Sequence, residues 1–230
     1  MLAALLVIGL REGKAGIKAW WSRVMRRDTT WGWYLLAASL PLGITLTAAG
    51  LNLLLGGHVT RAIDWTAPLF VLPIMLLVSG MWEEPGWTGF ALPHLQERFA
   101  TTPYGTLVAT LIMAVIRTGW HFPLMLSGSI YWSDIVTIIA AQIVISWLFN
   151  ASGGSVLAIM LLHLLNNTIS GEFVSQWFSG ADWVRQSWLL AILWGLLAIG
   201  VLLFGGLQVG RKSVTASQES RIVEPALNLL

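Results

Sequence analysis

The sequence predicts an all-α, polytopic membrane protein: about six transmembrane helices plus an N-terminal amphipathic segment, with a polar cavity in the bundle. Three observations predict it. The 230 residues are 56% hydrophobic and only 10% charged, whereas a soluble domain carries about 25% charged residues. Apolar runs recur at lengths that cross a hydrocarbon core, which takes ~20 residues each. Within those runs the ionisable residues are few, and two adjacent carboxylates, Glu83 and Glu84, stand in an otherwise oily stretch. A charge at bilayer depth costs at least ~2.5 kcal/mol, so such a pair marks a functional site by default.

Residues 1–30 read as an N-terminal membrane or interfacial segment. Its first ten residues are apolar but too short to span, and they lack the flanks of a cleaved signal peptide. Arg11, Lys14, Lys18, Arg23, Arg26 and Arg27 then interleave with Trp20 and Trp21, as in an interfacial amphipathic helix. A helical bundle is expected over 31–208 and a cytoplasmic tail over 209–230. The first clear span covers 31–55 and ends at Gly56-Gly57. The second element, 65–99, is too long for a simple span and should kink at Pro73, Pro85 and Pro93. Thr101 and Thr102 are expected to cap the third span, 104–126, which carries Arg117 and His121. A short fourth span over 134–149 and a turn at 150–154 lead to the fifth, 155–170, with His163, Asn166 and Asn167. A wet, Trp-rich loop over 171–185 and a last span over 187–207 complete the bundle.

Threading these spans in alternation puts the basic residues of the N-terminal segment, Arg98, Arg211, Lys212 and Arg221 on one side. Only Arg61 and Arg185 fall on the other, so the basic side is cytoplasmic. The expected location is a cell membrane, as a multi-pass protein of a bacterial inner membrane. Fourteen tryptophans suit aromatic belts at its two interfaces. The net charge of +2 reflects basic loops and points to no nucleic-acid partner.

No cysteine is present, so thiolate chemistry is excluded and a metal would need His, Asp, Glu or Asn ligands. Counting from the turn near Thr102, the Glu pair and His121 come level, eighteen or nineteen residues to either side. His163 lies near mid-bilayer, and Asn167 is one helical turn further on the same face. Glu83, Glu84, His121, His163 and Asn167 therefore form a candidate polar pocket. It suits either a divalent metal or a water held between a carboxylate base and imidazoles, and both suit amide hydrolysis. The bland reading of each part is an interhelical hydrogen bond, or an ion pair of the carboxylates with Arg117.

These residues carry a resemblance. Glu83-Glu84 with the following Pro-Gly-Trp-Thr-Gly-Phe resembles the EExxxR motif of the CPBP family, which contains the CAAX prenyl endopeptidases and the Abi proteins of bacteriocin processing and self-immunity. Residues 117–121, ending in Trp120-His121, are similar to its FxxxH motif, and His163-Leu-Leu-Asn-Asn167 matches HxxxN. The resemblance implies a multi-helix intramembrane protease of bacterial type with a degenerate first motif. Glu83 would activate a water beside Glu84, His121 and His163 would bind metal or stabilise the oxyanion, and Asn167 would assist. A zinc ion, where one is bound, would take His121, His163 and Glu83. The motifs leave zinc and metal-free glutamate chemistry both open. The substrate would be a peptide or membrane protein presented at the lipid bilayer, lipidated or not.

The chain departs from the family pattern at two informative positions. Thr88 stands where the motif has arginine, and Arg117 where it has an aromatic residue. Arg117 lies on the face of His121, so it is expected to supply the cation missing at position 88 and to serve as the charge partner of Glu84. The alternatives are a non-catalytic family member acting in self-immunity or partner binding, and a small transporter using the two glutamates as proton carriers.

Overall fold

The computed structural model describes residues 1–211, so most of the expected tail over 209–230 lies outside the described residues. Among them the chain is all-helical. Helix α1 (Leu2–Val24) is followed by α2 (Trp31–Leu54), α3 (Ala67–Arg98), α4 (Gly105–Leu126), α5 (Asp134–Ala151), α6 (Val156–Trp177) and α7 (Gly180–Gly205). Helices α2 to α7 are the six long and apolar enough to cross a membrane. The protein is thus a multi-pass membrane protein.

Side-chain burial follows the same logic. Trp20, Met113, Leu148, Ile159, Leu162 and Trp194 pack into the core, while Leu54 and Phe204 point outward at 84% and 94% exposure. In a bilayer those outward faces meet lipid, which leaves the polar groups of the chain to satisfy one another inside the bundle. Helix α5 packs most extensively against α7 and also against α4, and α6 packs on α2.

The two ends of the bundle are stitched by different hydrogen bonds. At the basic end Thr29 donates to the carbonyl of Ser152 (2.8 Å), Arg211 to that of Gln96 (3.1 Å) and Thr106 to Gln208 Oε1 (3.1 Å). At the opposite end Asn52 donates to the carbonyl of Asp182 (2.9 Å), and Arg185 Nε donates to Asn52 Oδ1 (2.6 Å). There too Asp64 opens α3 by accepting from the Thr66 amide (2.9 Å) and hydroxyl (2.6 Å), which holds its carboxyl below the usual range.

Four local expectations change. Residues 1–24 form one helix broken at Gly13 (φ 66°), a left-handed geometry that suits glycine. It docks on α3, with Trp20 Nε1 donating to the Gly89 carbonyl at 3.2 Å, instead of only lying at the interface. Helix α3 absorbs its prolines with two π-helical stretches, Leu76–Gly80 and Trp87–Ala91. Thr101 and Thr102 do not cap α4, whose N-cap is Tyr104; Thr102 Oγ1 instead donates back to the Phe99 carbonyl (2.8 Å). The segment read as a wet loop over 171–185 is largely helical. Trp65, Phe173 and Trp177 stack edge-on over its first part. The Asp182–Arg185 pair, 2.7 Å apart one turn along, carries the start of α7 back to Gly180.

Candidate active site

The Glu pair lies on the short α-helical turn between the two π-helical stretches of α3. An α-helix turns by about 100° per residue, so neighbours on it face different surroundings. Glu84 turns inward and is fully buried, whereas Glu83 is part-exposed and its Oε1 accepts from Trp120 Nε1 at 3.1 Å. Wide turns of this kind are frequent at functional sites, because they re-aim side chains without ending the helix.

Glu84 is the hub of the buried polar cluster. One terminal nitrogen of Arg117, from α4, lies 2.8 Å from both carboxylate oxygens. His163 Nδ1, from α6, donates to Oε1 at 2.7 Å, and the Thr88 hydroxyl donates to Oε2 from one turn along α3. The same Arg117 nitrogen lies 3.4 Å from Thr88 Oγ1. Its guanidinium carbon sits 5.9 Å above the Trp87 ring, a cation–π distance, and Trp87 in turn meets Trp120 edge-on. An isolated buried carboxylate would cost several kcal/mol, and only pairing with further hydrogen bonds offsets that. Here both oxygens have charged and neutral donors.

The two imidazoles are fixed through the same atom. His121 Nδ1 donates to the carbonyl of Arg117, four residues back, at 2.8 Å. His163 Nδ1 donates to Glu84. Each ring therefore carries its proton on Nδ1 and leaves Nε2 without a hydrogen-bond partner among the described residues. His121 and His163, together with Arg117, Asn166 and Asn167, line a cavity of about 80 Å³. Asn166 Nδ2 donates to Asn167 Oδ1 at 3.3 Å, which leaves the Asn167 amide N–H groups available.

The sequence-expected residues thus fall into two groups. Glu84, His163 and Arg117 are in direct contact; His121 and Asn167 share the adjoining cavity with His163. Glu83 is turned toward Trp120. Sequence reasoning missed three participants: Thr88 as a donor, Trp120 as the partner of Glu83, and Asn166 as the residue that sets the Asn167 amide. Thr88 occupies a motif position, and Trp120 and Asn166 are neighbours of one, which was the available signal.

A catalytic zinc takes three protein ligands and keeps one open position. Both oxygens of Glu84 are already occupied by Arg117, His163 and Thr88, and Glu83 faces an indole. Among the described residues no three His, Asp or Glu side chains are grouped so as to hold a metal ion. The residues present do not fit a three-ligand zinc.

Comparison with known proteins locates the site within a shared segment. CAAX prenyl protease 2 of Methanococcus maripaludis is 25% identical over 141 residues, 56% of this chain. The chain spans about half the length of that relative, 47% of which is matched. Residues 65–169 match the family described as type II CAAX prenyl endopeptidase Rce1-like. That segment runs through α3, α4, α5 and α6 as far as Ile169 and holds every residue of the site described above. Over that segment the chain is similar to the Rce1-like type II CAAX prenyl endopeptidases, the CPBP proteins.

Proposed function

We propose that the protein is an intramembrane endopeptidase that hydrolyses peptide bonds of membrane-associated or lipidated substrates. The observation that carries this reading is the pair of imidazoles, each held through Nδ1, that present Nε2 to one cavity beside a carboxylate-bearing helix. Fixed polar groups of that kind do not reorganise as charge develops, and this is where most catalytic stabilisation originates.

In this reading Glu83 is the general base. It takes a proton from a water, whose oxygen attacks the scissile carbonyl carbon and forms a tetrahedral oxyanion. Asn167 Nδ2 donates to that oxyanion, and the Nε2 lone pairs of His121 and His163 are placed to accept from the hydroxyl that the attacking water has become. The C–N bond then breaks, and Glu83 returns its proton to the leaving nitrogen. Glu84 does not react. It fixes the His163 ring, as the carboxylate of a catalytic triad fixes its histidine. No step is routed through a metal.

A specific observation favours a second reading. Arg117 engages both oxygens of Glu84, an arrangement equally suited to an inert pocket in a non-catalytic self-immunity or partner-binding protein. One experiment separates the two. Membranes of cells expressing wild type or Glu83→Gln are compared by labelling of newly formed peptide N-termini. Termini that appear with wild type and vanish with the variant support hydrolysis. Identical profiles at equal expression overturn it.

A further inference from the structure

A cavity of about 460 Å³ lies at the basic end of the bundle and shares no lining residue with the cavity of the imidazoles. It is bordered by the close of α1, the last turns of α3 and the turn that joins α5 to α6. Helix α1 stops there at Val24, α3 at Arg98 and α5 at Ala151, and α6 begins at Val156. Where spans end, the hydrocarbon core gives way to headgroups, so the cavity sits at headgroup level. Trp20 and Trp21 stand just before it on α1, as residues of an aromatic belt do.

Its walls carry opposite charges that do not meet. Arg23 and Arg26 come from the end of α1 and the residues just after it, and His94 and Glu97 from one face of α3. Arg26 is anchored, with Nε 2.6 Å from Asp28 and Nη2 donating to the Gly153 carbonyl. Its Nη1 has no partner among the described residues. Neither Arg23 nor Glu97 forms an ion pair with any described residue, although both border the same space. His94 Nδ1 donates to the Phe90 carbonyl at 2.8 Å, and the two rings lie 4.4 Å apart. The Nε2 lone pair of His94 is therefore an acceptor with no partner among the described residues.

That arrangement selects a ligand. Guanidinium groups hold phosphate oxygens by charge-assisted hydrogen bonds. A carboxylate and an imidazole lone pair accept from a cation that carries N–H groups. A simple anion would suit Arg23 but face Glu97, and a simple cation would do the reverse. A phosphate joined to a primary amine answers both walls. Val24, Phe149 and Val156 add apolar surface to the same cavity. The glyceryl and first acyl carbons of a lipid would cover that surface, and a free phosphoamine would leave it wet.

We propose that this cavity binds a phospholipid whose headgroup carries a phosphate and a primary amine, as in phosphatidylethanolamine. The phosphate lies against Arg23 and Arg26, and the ammonium against Glu97 and His94 Nε2. Bound there, the lipid joins α1 to α3, which bears the Glu pair, and to the turn that starts α6, which bears His163. A ligand held only by the folded bundle stabilises it by mass action.

The purified full chain, delipidated in detergent, is melted with added phosphatidylethanolamine, phosphatidylcholine or phosphatidylglycerol of identical acyl chains. Phosphatidylethanolamine should give a saturable rise in Tm that exceeds the other two. The choline headgroup has no N–H to donate to Glu97, and the glycerol headgroup brings no cation. Arg23→Gln and Glu97→Gln, both at exposed positions, should keep the lipid-free Tm of wild type. Each should raise the half-saturating level of phosphatidylethanolamine about tenfold, the loss of one charge-assisted bond. Glu97→Gln should also erase the preference over phosphatidylcholine. Equal shifts from the three lipids in wild type would show a bulk lipid effect and overturn the site. A larger shift from phosphatidylglycerol would reduce the cavity to a basic patch and overturn the amine contact. An unchanged response in both variants would overturn the assignment to this cavity. Soluble phosphoethanolamine that matched the lipid would overturn the lipid as its occupant.

Discussion

Arg117 reaches Glu84 across 33 residues of sequence and sets one nitrogen 2.8 Å from each carboxylate oxygen, with both side chains buried. Thr88, one turn from Glu84, donates to the same carboxylate where the family motif would place an arginine. The positive charge has in effect moved from α3 to α4 while still addressing the same anion. A guanidinium arriving from α4 stacks over Trp87, which an arginine at position 88 on the same helix would not do in the same way.

The pair should be energetically coupled. Arg117→Phe leaves Glu84 buried without its cation, and breaking a buried pair from one side costs about 3–5 kcal/mol. Thr88→Arg combined with Arg117→Phe returns a cation to the carboxylate from the original motif position. The double variant should recover most of the lost thermal stability in detergent, giving a coupling of at least about 0.5–3 kcal/mol. Equal instability of the double and single variants would show that α4 must supply the charge.

The two histidines should differ in stability even where both are needed for cleavage. His163→Ala removes a donor from a fully buried carboxylate, a loss of about 1–3 kcal/mol. His121→Ala removes only a bond to a main-chain carbonyl within its own helix, so its cost should stay near roughly 0.5–1.5 kcal/mol. Thermal melts of the two purified variants read the difference. A reversed order would mean that Glu84 does not depend on His163.

Metal content provides a third test. With Glu84 saturated and Glu83 facing Trp120, purified wild type and a His121→Ala/His163→Ala double variant should carry equally low, substoichiometric zinc. Near-stoichiometric zinc in wild type that is lost in the double variant would mean that the site rearranges to admit a metal. Glu83 would then be its third ligand.

Much of this was readable in the chain before the fold. Depth can be counted along helices, so the levels of Glu84, His121 and His163 followed from turns near Thr102 and Ser152. The Arg117 contact followed from its position four residues before His121. Rotation about a helix axis is harder to read. Adjacent residues diverge by about 100°, and two π-helical stretches flank the Glu pair, so which carboxylate turned inward was not legible. The same holds for Asp182 and Arg185. They looked like loop residues because their helical pairing depends on Asn52 and His58, more than a hundred residues away.

Asn166, which sequence reasoning passed over, sets the orientation of its neighbour. Its amide donates to Asn167 Oδ1 and so turns the Asn167 N–H groups away from itself, within the π-helical stretch Asn166–Phe173. Removing an oxyanion donor typically costs about 100- to 1000-fold in kcat. Asn167→Ala should fall in that range. Asn166→Ala leaves the donor in place but frees its amide to rotate, so it should lower kcat by a smaller factor and leave KM unchanged. Asn166→Gln, which retains a donor amide, should restore part of the loss. If Asn166→Ala instead matched Asn167→Ala in kcat, Asn166 would itself contact the reacting group. If KM alone rose, both asparagines would belong to substrate binding and the oxyanion would need another donor.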